Sequence, residues 1–169
     1  MAPLVRRSWS PSGHTPVLQQ RTRAHQKVSV IAALCVSAPR DRLALYFRLH
    51  PNTNINAVLV IDFLEQLQRQ VHTPLVVIFD RIKAHLGERF NECVPPHSAH
   101  LEYLPPYAPE LNPVEYVWAY LKTNDLANNP AFDIDTLAVR TRNAARSVQH
   151  KPALLRGFLR HTGLPLRLA

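Results

Sequence analysis

The chain has 169 residues, of which 46% are hydrophobic, so it is long enough for one globular domain with a buried core. Its formal net charge of +8 favours a polyanionic partner such as nucleic acid, although a basic surface can also serve solubility alone. The sequence shows no bilayer-spanning apolar run, signal peptide, glycine-rich nucleotide loop or zinc spacing of its two cysteines, which excludes those classes and indicates a cytoplasmic protein.

The first half of the chain predicts an arm, two strands and a helix. Residues 1–27 are basic and rich in turn formers, and we predict an irregular arm or hairpin there. Strands are predicted over residues 28–36 and 42–49, with a turn between them. A helix to about residue 70 follows, because apolar residues recur at helical spacing at Ile55, Leu59, Phe63, Leu67 and Val71. Its expected cap is one of Asn52, Thr53 and Asn54.

The segment PLVVIFD, residues 74–80, predicts a central strand that is covered on both faces and ends at Asp80. The carboxyl ends of such strands are where ligands and catalytic groups gather in open α/β sheets. Asp80 could equally be an ordinary turn or capping residue. A short helix over residues 85–93 and a strand over residues 100–104 are predicted next.

The stretch LPPYAPELNPVE, residues 104–115, packs four prolines in front of a glutamate. We predict that the prolines hold the connector extended, and that Asn112 caps a helix whose first position is Pro113. Glu115 then falls in the first turn, with Lys122 on the same face. A capping box, in which Glu115 accepts from the backbone, is the competing structural reading of that glutamate. The predicted buried face consists of Val114, Val117, Trp118 and Leu121.

The whole chain is predicted to form a single domain. Its parts are the arm over residues 1–27, a core over residues 28–126 and C-terminal helices over residues 127–169. Those helices are predicted over residues 133–148 and 153–163, where the apolar spacing is helical.

The motifs PLVVIFDRIKAH and LEYLPPYAPELNPVEYVWAYLK resemble the catalytic core of mariner-related bacterial insertion-sequence transposases, of the insertion sequence 630 type, in the DDE superfamily. The interval from Asp80 to Glu115 matches the interval between the second and third acids of that family. WSPSGHTPVL, near the start, resembles the family segment that follows its first strand.

The resemblance implies a ribonuclease-H-like α/β fold, a mixed sheet flanked by helices, from which the first strand is missing. It implies that Asp80 and Glu115 are catalytic and hold Mg²⁺, for which Mn²⁺ can substitute. Asn112 and His85 would support the site, although a polar residue at a helix start explains His85 about as well. Arg81 and Lys122 would contact DNA, although a helix-surface lysine is more often simply solvated.

The implied activity is metal-dependent DNA cleavage and strand transfer on transposon inverted-repeat ends and target DNA, in the bacterial cytoplasm at the nucleoid. The resemblance also suggests a homodimer. The first acid of the family precedes the WSPSGHTPVL segment, whereas no acidic residue precedes Asp41 here. Asp41, in a turn, and Asp62, in mid-helix, are poor substitutes. We therefore expect this chain alone to be inactive, with the first Asp encoded upstream.

Two other functions stay open on the sequence. Arg142 and Arg146, one helical turn apart, would suit a non-catalytic DNA-binding remnant or regulator of transposition, or only a solvated helix face. A basic α/β interaction or RNA-binding protein ranks last, because no aromatic RNA-binding signature is present.

Overall fold

The computed structural model describes residues 6–7, 9–15, 17, 27–80, 99–128, 131 and 133–164. The elements, in chain order, are β1 Val28–Val36, β2 Leu43–Pro51, α1 Ala57–Val71, β3 Leu75–Phe79, β4 Ala99–Tyr103, a 3₁₀ turn Pro109–Leu111, α2 Pro113–Thr123, α3 Ile134–Gln149 and α4 Pro152–His161. The sequence predicts each of these strands and α-helices with nearly the same bounds. The helix predicted over residues 85–93 lies outside the described residues.

The four described strands form two pairs. β1 and β2 are antiparallel, in a register that runs from Val28 opposite Pro51 to Val36 opposite Leu43. β3 and β4 are parallel. Within the described residues these pairs are two separate sheets, whereas one mixed sheet was predicted. β1 and β3 are instead related through α1, on which both strands pack.

Helix α1 begins at a different cap from the three predicted. The side chain of Asn56 accepts a hydrogen bond from the Leu59 N–H at 3.0 Å and caps the helix. Ile55, immediately before the cap, packs against the cluster that Val60 and Leu64 form on α1. An apolar residue before the cap that packs onto the first turns fixes the angle at which the chain enters the helix. This contact of Ile55 therefore favours Asn56 as the cap rather than Asn52, Thr53 or Asn54.

Strand β3 is covered on one face, and the prediction of a strand covered on both faces is wrong. Val77 and Phe79 pack against the α1 cluster. Val76 and Ile78, on the opposite face, are 70% and 47% exposed. A continuous apolar run does not reveal which elements cover a strand, and α1 is the helix that the described chain packs against this one.

The main core lies between the β1–β2 pair and helices α2, α3 and α4. Its buried members include Leu45, Val117, Leu121, Leu126, Val148, Leu155 and Phe158. The predicted buried face of α2 is confirmed at Val117 and Leu121, both fully buried, while Trp118 is half-buried against the cluster. None of the described helices is both long and apolar enough to cross a membrane.

The described part of the N-terminal arm contacts the end of α2. The Arg6 N–H donates to Asn128 Oδ1 at 2.7 Å, and Asn128 Nδ2 donates back to the Arg6 carbonyl at 2.9 Å. The Arg6 guanidinium also donates to the Thr123 carbonyl at 3.0 Å. These bonds attach the arm to the same helix that carries Glu115.

Candidate active site

Asp80 stands directly after β3, where the parallel pairing with β4 ends at Phe79 opposite Tyr103. One further hydrogen bond extends this pairing, from the Leu104 N–H to the Phe79 carbonyl at 2.7 Å. Leu104 is buried. The strand end that carries Asp80 is therefore fixed to its neighbour before the proline-rich connector begins.

The connector between Leu104 and α2 is folded, and the prediction of an extended connector is wrong. A turn contains Tyr107, whose φ of 60° lies in the left-handed region. A 3₁₀ turn, Pro109–Leu111, follows at once. The φ angle that proline fixes suits the early positions of turns as well as extended chain, so prolines alone do not distinguish the two. The paired turns direct the chain from the end of β4 into α2.

Asn112 joins the two halves of the site. Its Oδ1 accepts from the Val114 N–H at 3.0 Å, which caps α2 as predicted. Its Nδ2 donates to Asp80 Oδ2 at 3.2 Å. One amide therefore begins the helix and orients the carboxylate of Asp80. The sequence motif predicts the cap, whereas the second bond depends on tertiary structure and carries no local signal.

Glu115 lies close enough to Asp80 for their charges to interact. Burial raises the pKa of Glu115, the negative charge of Asp80 raises it further, and the positive charge of Lys122 opposes both. Asp80 and Lys122 each lie close enough to Glu115 for their charges to act on it. The Asn112 N–H donates to the Pro109 carbonyl at 3.0 Å, so the capping box that competed for Glu115 is not formed.

The donor chemistry of the pair suits a hard divalent cation. Carboxylate oxygens are the ligands that Mg²⁺ prefers, and Mg²⁺ keeps several waters when a protein supplies one or two carboxylates. Burial, and after it the negative charge of Asp80, disfavours ionised Glu115, and a bound cation would relieve both effects. In the part of the chain that the structure describes, no group of three or more His, Cys, Asp and Glu side chains comes together.

Arg81 and His85 lie outside the described residues. Asp41 lies in the β1–β2 turn, where the Ser37 hydroxyl donates to it at 2.6 Å, and Asp62 is exposed on α1.

Comparison with known families decides the identity of the domain. Residues 2–138, well over half of the chain, match the DDE superfamily endonuclease family. The chain belongs to the DDE superfamily endonuclease family. Asp80, Asn112 and Glu115 all fall inside the matched region. A relative from Sinorhizobium fredii, the uncharacterized protein y4pE/y4sA, is 32% identical over 77 residues, which are 46% of this chain and 55% of the relative.

Solved structures show the fold of this DDE endonuclease domain. The Mos1 strand transfer complex matches with a TM-score of 0.55 at 14% identity, over 98% of this chain and 52% of that chain. The Mos1 mariner paired-end complex with Mn matches with a TM-score of 0.55 at 14% identity, over 99% of this chain and 53% of that chain. A simian T-cell lymphotropic virus intasome matches with a TM-score of 0.51 at 15% identity, over 83% of this chain and 55% of that chain.

These likenesses confirm the predicted ribonuclease-H-like α/β fold. The chain spans about half the length of the relatives that it matches.

Proposed function

We propose that this DDE endonuclease domain is part of a transposase that cuts DNA at transposon ends and transfers the cut strand to target DNA. Asp80 and Glu115 are its catalytic acids and hold Mg²⁺, with Mn²⁺ as a substitute. The Mn named for one Mos1 complex supports the choice of a divalent cation. The insertion-sequence type, the single-domain organisation and a nucleoid location belong to this proposal.

One observation carries the proposal: two acids that lie far apart in the sequence converge at one place. The Asn112 bond to Asp80 and the effect of Asp80's charge on the pKa of Glu115 both report this convergence. Two neighbouring carboxylates without a cation repel each other, and such an arrangement is typical of a metal-binding site.

The residues of this chain perform distinct tasks in the proposed reaction. Asp80 and Glu115 would supply oxygen ligands, and Asn112 orients Asp80 through its hydrogen bond to Oδ2. Lys122 places positive charge beside the carboxylates, where the phosphate of the DNA would lie. Divalent cations, when bound at such a pair, activate the attacking hydroxyl and offset charge on the leaving oxygen.

The proposal includes a third carboxylate from a preceding segment. The acids near Asp80 within the described residues are too few to form a cluster of three, and no acidic residue of the sequence precedes Asp41. We expect an upstream strand that ends in Asp to complete the site. DNA upstream of the codon for Met1 that encodes no such strand would argue against this part of the proposal.

A cleavage assay tests the function. The chain joined to its upstream segment is incubated with fluorescent DNA that carries the inverted-repeat ends, in Mg²⁺, Mn²⁺ or Ca²⁺. Asp80→Asn and Glu115→Gln should each reduce cleavage at least about a hundredfold, since each loses a charged metal ligand. Glu110→Gln is the matched control, because Glu110 is an exposed acid in the 3₁₀ turn just before α2. Equal cleavage by all three variants would refute the assignment of the acids.

A non-catalytic DNA-binding remnant or regulator is the second candidate. It is favoured by the presence of two rather than three acids at the site in the described chain. The two functions separate in one experiment, because a regulator would bind the element ends and inhibit the full enzyme equally well with Glu115→Gln. An active endonuclease would lose cleavage with that substitution.

A further inference from the structure

A basic groove lies on the side of the domain, between β2, α1 and α3. Its volume is about 340 Å³. It shares no residue with the carboxylate site. The residues with polar groups that line it are Tyr46 and Arg48 of β2, Gln66 and Gln70 of α1, and Arg142, Arg146 and Gln149 of α3.

The three arginines of the groove are exposed to solvent. Arg48, Arg142 and Arg146 are each exposed, and none forms an ion pair with another described residue. No acidic residue of the described chain lines the groove. Burial lowers the pKa of His50 on the same strand, and the positive charge of Arg48 lowers it further.

The packing of α3 against β2 brings the three arginines to the same groove. Arg142 and Arg146 are four residues apart in α3, which puts both on one helix face. Gln149, one turn further, donates to the Leu45 carbonyl at 2.6 Å and so fastens α3 to the outer edge of β2. Arg48 projects from that same strand. Of the three elements that line the groove, β2 and α3 therefore both carry guanidinium groups.

We propose that this groove binds the phosphodiester backbone of DNA, at a place separate from the acids that cut it. The inference rests on the proposed function, since the same DNA would occupy both sites. Guanidinium groups form paired, charge-assisted hydrogen bonds with phosphate oxygens. Glutamine side chains commonly donate to phosphate and sugar oxygens as well. Such contacts position DNA without reading its sequence, so the groove holds flanking or target DNA irrespective of sequence.

The test is the salt dependence of DNA binding. Binding of a fluorescent 20-base-pair duplex of mixed sequence is measured by anisotropy between 50 and 200 mM salt, for wild type and for a groove variant with Arg48, Arg142 and Arg146 changed to Gln. Each lost phosphate contact reduces the slope of log K against log salt by about 0.9. Three lost contacts make the salt-induced loss of affinity about 40-fold smaller in the groove variant than in wild type.

Two matched variants separate site binding from bulk charge. A control changes three other exposed arginines, Arg40, Arg156 and Arg160, to Gln and so removes the same charge. Its slope should stay close to that of wild type. A rescue variant with lysine at the three groove positions keeps the charge and should restore most of the slope. Thermal melting confirms that each variant is folded.

Three outcomes would overturn the groove assignment: equal slopes for the groove and control variants, no duplex binding by wild type at 50 mM salt, or displacement of the duplex by poly-glutamate at equal charge concentration. The last would identify an acidic-peptide site. The cleavage assay with Asp80→Asn judges the proposed function independently, since that variant should bind the duplex through the groove and fail to cut it.

Discussion

Replacing Asn112 tests whether one amide both begins α2 and holds Asp80. Asn112→Ala removes the cap bond to Val114, at a cost of about 1 kcal/mol. It also removes the bond to the carboxylate of Asp80, at a cost of about 1.5 kcal/mol because that bond is charge-assisted and half-buried. The sum, about 2.5 kcal/mol, should lower Tm by about 5–10 °C in a domain of this size. Asn112→Ser keeps a capping oxygen and should lose only about 1.5 kcal/mol.

Urea unfolding, followed by circular dichroism, measures these free energies, and a double-mutant cycle with Asp80→Ala isolates the side-chain bond. The coupling energy should be about 1.5 kcal/mol, because without Asp80 the alanine at position 112 costs only the cap. A coupling below about 0.5 kcal/mol would mean that the two side chains act independently. The reasoning about the shared amide would then be refuted, even if Asn112→Ala is destabilised.

Three further predictions concern ionisable groups. Mg²⁺ at ten times its Kd should stabilise wild type by about 1.4 kcal/mol and raise Tm by about 3–6 °C. A similar rise in Tm of a double variant, Asp80→Asn with Glu115→Gln, would show that the ion binds elsewhere. Because the pKa of Glu115 is raised in the folded protein, its favourable contribution is present below the ordinary value of 4.5 and is lost as pH rises through the raised one. Glu115→Gln should therefore gain stability relative to wild type between pH 3.5 and pH 7 in urea unfolding, and a relative loss would contradict the sign. Burial raises the pKa of Cys35 to about 11 from 9.0. In a Cys93→Ser background, a thiol reagent at pH 8 should therefore label Cys35 about a hundredfold more slowly in the native protein than in the urea-unfolded chain. Equal labelling rates would show that the Cys35 thiolate is accessible.

The sequence predicts the elements well because their signals are local. The apolar spacing of α1 and the Asn112-Pro113 start of α2 depend on neighbours along the chain, and the structure has both helices where the patterns put them. The covering of β3 and the folding of the connector depend on what packs around them, and these predictions were wrong. The family motif supplied the pairing of Asp80 with Glu115, which neither residue reveals alone.

The hydrogen bond from Asn112 to Asp80 and the basic groove were likewise not predictable from local sequence signals. Arg48 stands on β2, far before Arg142 and Arg146 in the sequence, and only the docking of α3 on the strand edge brings them together. The i, i+4 pair on α3 is visible in the sequence, whereas its partner across the groove is not. Sites assembled from distant elements require the fold.

The two candidate acids belong to different hydrophobic clusters. Asp80 follows strand β3, which packs on α1 through Val77 and Phe79. Glu115 lies on α2, which packs in the main core through Val117 and Leu121. The spacing of the two carboxylates thus depends on how the two clusters pack relative to each other, and a small displacement between them would separate the proposed metal ligands without global unfolding. Amide exchange at the α2 start should then report catalytic competence separately from global unfolding.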